Sequence, residues 1–155
     1  MKNSTGAYAA DGGVRSSSRE SDDIERSLVI IKPDAVRKNI VGEIISRFEK
    51  EGLVIEDLKM MRITRELACQ HYFEHQNKDF FGKLVEYICS DRVVVMIIKG
   101  RDAIRRVRRL MGPTDPKKAE KGTIRGDFGT DITVNAIHGS DCKESAEREI
   151  KLFFG

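Results

Sequence analysis

The chain has 155 residues, 28 Lys+Arg against 25 Asp+Glu and a formal net charge of +3, with 39% hydrophobic and 34% charged residues. Such a chain is expected to form one globular domain around a single core, and no apolar run approaches the ~20 residues that span a bilayer. The opening residues lack the apolar stretch of a secretory signal, and the near-balanced charge argues against a dedicated nucleic-acid binder. Three dispersed cysteines (Cys69, Cys89, Cys142) fit a reducing, cytoplasmic compartment, with neither a disulfide framework nor a zinc site.

Residues 1–26 differ from the rest. No Leu, Ile or Phe precedes Ile24, and the segment holds four basic and five acidic residues among Gly and Ser. It cannot bury enough apolar surface to offset the entropy of ordering it, so it is expected to be a flexible N-terminal extension to a domain over 27–155. Two unbroken apolar runs, at 28–31 and 93–98, are rich in β-branched residues and predict strands buried on both faces. A third, less regular strand is expected over 53–63.

Apolar residues at helical spacing predict the helices. Val41, Ile44, Ile45 and Phe48 form one stripe, stopped by Gly52. Phe81, Leu84, Val85 and Ile88 form another, with Asp79 as the expected cap. Ile104, Val107 and Met111 follow Asp102, and Ala146, Ile150 and Phe153 lie near the end. A further helix is expected over 64–76 after Thr64. Residues 112–136 show no sustained period, and a long irregular segment inside a compact domain is usually functional. It leads into a short fourth strand at 137–139. The order fits an α+β fold of the ferredoxin-like βαββαβ kind, a four-stranded antiparallel sheet with helices packed on it.

Neither of the common glycine-rich phosphate loops is present, so any phosphate chemistry would fall to side chains. Lys32 ends the first buried strand, and Arg108 sits at the border of a helix's apolar face; alone, each reads as a solvated end or a snorkelling stem. Arg101, Arg105, Arg106 and Arg109 spread over several helix faces without interleaved aromatics, an unconvincing nucleic-acid patch. The irregular segment adds Thr114, Arg125 and Asn135. His71 and His75 match the H-x-x-E-H zinc pattern, but no carboxylate is evident as third ligand in a suitable downstream helix, and a partly exposed helix accounts for them. His138 stands out at the entry to the fourth strand. Glu149 lies on the apolar stripe of the last helix, where a carboxylate needs a partner. An imidazole that must be oriented for attack needs a carboxylate or carbonyl on its other nitrogen. Each residue supplies what the other lacks.

These residues occur within IKPD at 31–34, VGEIISRFE at 41–49, HY at 71–72, FF at 80–81, GTIRGDF at 122–128 and NAIHGSD at 135–141. Over residues 24–154 the sequence therefore resembles the nucleoside diphosphate kinase family. The resemblance implies ping-pong transfer of the γ-phosphate of a nucleoside triphosphate, mainly ATP, to other nucleoside diphosphates through a phosphohistidine at His138, maintaining nucleotide pools. It implies that Glu149 orients His138 and that Tyr72 lies near the γ-phosphate. Lys32, Arg108, Thr114, Arg125 and Asn135 would bind phosphates and ribose, and Phe80 would stack on the base. It further implies Mg2+ carried in with the nucleotide, no dedicated protein metal cage, and a homo-oligomer, tetramer or hexamer, built from a common dimer. Departures from the family pattern at Ala35, Lys38, Asn39, Arg92, Lys99, Pro113 and Lys121 touch none of these positions.

Overall fold

A computed structural model describes residues 22–155. Strand β1 (Ile24–Ile31) leads through a single turn of helix α1 (Pro33–Arg37) to α2 (Val41–Lys50) and β2 (Val54–Arg62). Helices α3 (Arg65–His71) and α4 (Phe81–Ile88) precede β3 (Arg92–Arg101), which is followed by α5 (Ala103–Met111), the short α6 (Ile124–Phe128), β4 (Ile137–Gly139) and α7 (Lys143–Phe154). The four strands form one antiparallel sheet in the order β2-β3-β1-β4, the ferredoxin-like arrangement expected from the sequence. Most of the compositional extension, residues 1–21, lies outside the described residues. Residues 24–26 belong to β1, because Ile24 through Arg26 pair with Arg101 through Lys99 of β3.

The unbroken apolar runs become the two central strands, and Leu28, Val29, Ile30 and Ile31 are all fully buried. Alternation along the strand sends Val29 and Ile31 to one face with Val94, Met96 and Ile98, where Ile44, Phe48, Val107, Met111 and Ile124 cover them. Leu28 and Ile30 point the other way, with Val93 and Val95, against Ala68, Tyr72, Val85, Ile88 and Phe153. Two cores thus hold the sheet between α2, α5 and α6 on one side and α3, α4 and α7 on the other.

Several helix ends differ from expectation for local reasons. Gly52, at φ +82°, does terminate α2, and its N–H bonds to Glu49 O at 3.0 Å. Thr64 caps α3 by accepting from Leu67 N at 3.1 Å, but that helix ends at His71, and a 3-10 turn over Phe73–His75 replaces its expected last turn. Asp79 is not the cap of α4; Phe80 holds that position without a side-chain bond. Asp102 precedes α5 in the left-handed region (φ 52°), and its carboxylate takes Arg105 Nε at 3.0 Å instead of helix amides. Glu25, reaching across from β1, accepts from Ile104 N at 3.1 Å in its place.

Candidate active site

His138 sits in the middle of β4, paired with Ile30 of the central strand. The chain reaches it through Ala136, a buried non-glycine residue at φ 79°, a conformation that costs of order 1–3 kcal/mol. The turn there is held because Ala136 O accepts from Lys32 N at 2.9 Å. Lys32, at the C-terminal end of β1, and Asn135, just before β4, are thereby brought together. Lys32 Nζ donates to Asn135 Oδ1 at 2.8 Å.

The imidazole of His138 is anchored at one nitrogen. Its Nε2 lies 3.0 Å from Glu149 Oε1 on α7, the pairing anticipated from a carboxylate on an apolar stripe. Glu149 is 4% exposed, and Ser140 Oγ donates to the same oxygen at 2.8 Å while accepting from Leu28 N at 3.0 Å. The central strand β1, the segment after β4 and the last helix are thus tied through one hydroxyl. With Glu149 holding Nε2, the proton is kept on that atom and the lone pair resides on Nδ1.

A cavity of about 570 Å³ opens above this pair. All nine residues expected in the site line it: Lys32, Tyr72, Phe80, Arg108, Thr114, Arg125, Asn135, His138 and Glu149. They come from β1, β4, the helices α5, α6 and α7, and the loops between. The irregular segment is ordered from within. Asn135 Nδ2 donates to Thr114 O and to Ile132 O, each at 2.9 Å. Arg125 donates to Gly112 O at 2.9 Å and to Ile137 O at 2.8 Å. Asn135 and Arg125 therefore brace the cavity wall as well as facing it. Arg125 Nε is buried without a partner.

The electrostatics suit an anion. Burial and the nearby Arg125 pull the Lys32 ammonium down to about 8, and burial with Arg108 brings Arg125 to about 10. Three cations facing one cavity disfavour one another until negative charge arrives. Burial, with Glu149 next, raises the Tyr72 phenol above its ordinary range, so it stays protonated and able to donate. Phe80, 45% exposed, and Ile132, 60% exposed, are large apolar side chains on the cavity's lining, a slot suited to a flat apolar face.

His71, Ser140 and Ile132 were not singled out for this site by the sequence. Ser140 stands two residues after the histidine within the NAIHGSD segment, but nothing in that segment marks it as a partner of Glu149. His71 does not pair with His75 as a zinc motif requires. His71 closes α3 with its ring against that of His138, centroids 4.6 Å apart at 84°, whereas the break at Tyr72 carries His75 away to pack toward Phe80 at 5.5 Å.

A ferredoxin-like sheet carrying a carboxylate-held histidine under a wall of lysine and arginine has the framework of a phosphotransferase. The profile described as nucleoside diphosphate kinase matches residues 25–155. The nucleoside diphosphate kinase of Pyrococcus abyssi is 60% identical over 133 residues, 84% of each chain. That of Rubrobacter xylanophilus is 57% identical, covering 85% of this chain and 99% of its own. Among solved structures, the Aquifex aeolicus enzyme superposes with a TM-score of 0.84 at 47% identity, covering 86% of this chain and 96% of its own. The Halobacterium salinarum enzyme in complex with CDP gives 0.83 at 49% identity, covering 85% and 88%. The chain belongs to the nucleoside diphosphate kinase family, and its reaction is transfer of the γ-phosphate from a nucleoside triphosphate to a nucleoside diphosphate.

Proposed function

We propose that His138 is the residue that carries the phosphoryl group between donor and acceptor. Its Nδ1 attacks the γ-phosphorus as the bond to the bridging oxygen breaks, and the nucleoside diphosphate departs with that electron pair. A second nucleoside diphosphate then attacks the phosphohistidine, and the Nδ1–P bond returns its electrons to the ring. Positive charge develops on the imidazole when Nδ1 is phosphorylated, and Glu149, 3.0 Å from Nε2, is placed to balance it. Lys32, Arg108 and Arg125 offset phosphate charge, Thr114 and Asn135 hold phosphate and ribose, and Tyr72 donates near the transferring group. The base rests on Phe80, and its contact through the ring face leaves base identity largely unread. The observation that carries this reading is the Glu149 contact to Nε2, which leaves Nδ1 for the cavity where the cations converge.

Mg2+ belongs to this reading as the nucleotide's companion, where it would offset phosphate charge. The lining fits that role. Apart from Glu149, already committed to His138, its carboxylates are Glu74 and Asp141. A hydrogen bond from Ser145 holds the Asp141 carboxyl below its ordinary range, and this carboxylate would face the hydrated ion.

A homo-oligomer, tetramer or hexamer, is supported by the outer edge of the sheet. Leu58 and Met60 of β2 stand opposite Met96 and Val94, on the face that α2 and α5 cover farther in, yet they are 47% and 48% exposed. An uncovered apolar pair on an edge strand suits a second copy of the chain. A reducing, cytoplasmic setting is supported by the free thiols of Cys69, Cys89 and Cys142, and among the described residues no helix is long and apolar enough to cross a membrane.

The test is direct. Incubation with γ-labelled ATP should give an acid-labile, base-stable phosphoprotein that unlabelled GDP discharges. Undiminished labelling of His138→Ala would overturn the assignment, and nucleotide affinity without label would mark a pocket that binds but does not turn over.

A further inference from the structure

His71 lines this cavity and has no part in phosphoryl transfer as described above. It is 4% exposed, and both ring nitrogens are buried without a hydrogen-bond partner. An imidazole ordinarily satisfies one nitrogen as donor and the other as acceptor, so two orphans in one ring are costly.

We propose that His71, His138 and Glu149 form a binding site for a divalent transition cation of the Zn2+ class, and that occupancy of this site blocks phosphorylation of His138. One donor atom from each of the three lies within 4.8 Å of the other two. Two imidazoles and a carboxylate are a ligand set that open zinc sites use, with a fourth position left for water. The same set is a poor one for Mg2+, which prefers oxygen ligands and dehydrates reluctantly. The cation that travels with the nucleotide and the cation that would seize the histidine are therefore distinguished by ligand chemistry.

The block follows from the tautomer. A cation sharing Glu149 binds His138 through Nε2, the nitrogen 3.0 Å from that carboxylate. The Nε2 proton must leave, and the ring returns to neutrality by holding a proton on Nδ1 instead. No net proton is lost from the imidazole, but the lone pair that attacks phosphorus is gone. The site itself does not depend on the phosphoryl-transfer reading; only the block does.

The experiment uses full-length, nucleotide-free protein stripped with a chelator. Co2+ serves as the spectroscopic probe, and Zn2+ as competitor. One equivalent of Co2+ should give the visible absorption of a four-coordinate nitrogen and oxygen site, bleached by one equivalent of Zn2+. His71→Phe and, as a second variant, His71→Asn should each weaken binding at least ~10-fold, the lower end of what even an outer-shell partner is worth. Both should retain the wild-type far-ultraviolet dichroism. A variant with Cys69, Cys89 and Cys142 all replaced by serine should bind as the wild type does. Zn2+ loading should stop labelling by γ-labelled ATP, and chelation should restore it. Absent Co2+ binding, binding indifferent to both His71 variants, or binding lost with the cysteines would each overturn the proposal. So would unimpaired labelling of the Zn2+-loaded protein. If Co2+ binds through His71 but the metal-free protein never labels, the site stands and the phosphohistidine reading falls.

Discussion

Glutamine at position 149 preserves the volume of Glu149 while removing the charge that faces His138 Nε2 at 3.0 Å. A hydrogen bond to a charged partner is worth about 1.5–3 kcal/mol, and this one gains strength as the ring becomes cationic in the transition state. At about 1.4 kcal/mol per decade, the loss converts to roughly 10- to 150-fold in the rate of His138 phosphorylation. The glutamine amide can also turn an N–H toward Nε2, favouring the tautomer with its proton on Nδ1 and pushing the effect to the upper end. Nucleotide affinity should change less than ~2-fold, since the phosphate charge is met by Lys32, Arg108 and Arg125. Quench-flow labelling with γ-labelled ATP over a range of nucleotide concentrations separates the two constants, and urea unfolding checks that the fold is intact. A folded Glu149→Gln protein that is phosphorylated within ~3-fold of the wild-type rate would refute the role given to this carboxylate. So would a variant whose whole deficit lay in affinity.

Other perturbations have distinct signatures. Lys32 titrates near 8 when folded and near 10.5 when unfolded, so between those values the unfolded chain binds more protons and the free protein gains stability as pH rises. Over the same interval nucleoside diphosphate affinity should fall by up to tenfold per pH unit, and calorimetry on Lys32→Met should show a weaker affinity without that slope. Ser140→Ala strips one donor from Glu149 and leaves the Leu28 amide without its 3.0 Å partner. Urea denaturation should register a loss of about 1–3 kcal/mol. Gly126→Ala would drive a methyl into the Glu120 carbonyl oxygen, a backbone atom that no rotamer change relieves. Its melting midpoint should drop by more than Ser140→Ala lowers it, because α6, which carries Arg125, must shift. Leu58→Lys on the open edge of β2 should reduce the mass seen by light scattering, and an unchanged assembly would remove that edge from the interface.

Much of this molecule is legible in local pattern because burial imposes a period on the chain. Unbroken β-branched runs at 28–31 and 93–98 announce strands covered on both faces, and they occupy the centre of the sheet. The stripe of α7 exposes Glu149 as a carboxylate on a buried face, and the cost of an unpaired charge there is enough to demand a partner such as His138. What periodicity cannot register is which element arrives from elsewhere to meet a given face. The capping of α5 by Glu25 joins residues 79 positions apart. Ser140 reaches Leu28 across 112 positions, and Asn135 binds Lys32 across 103. His71 reads as half of a surface pair with His75 until the chain turns at Tyr72 and its ring is set against His138. Composition and spacing thus determine the strands, the helices and the residue types the chemistry needs. Only the assembled fold decides which donors and acceptors meet, because those contacts are settled by packing between segments that are remote along the chain.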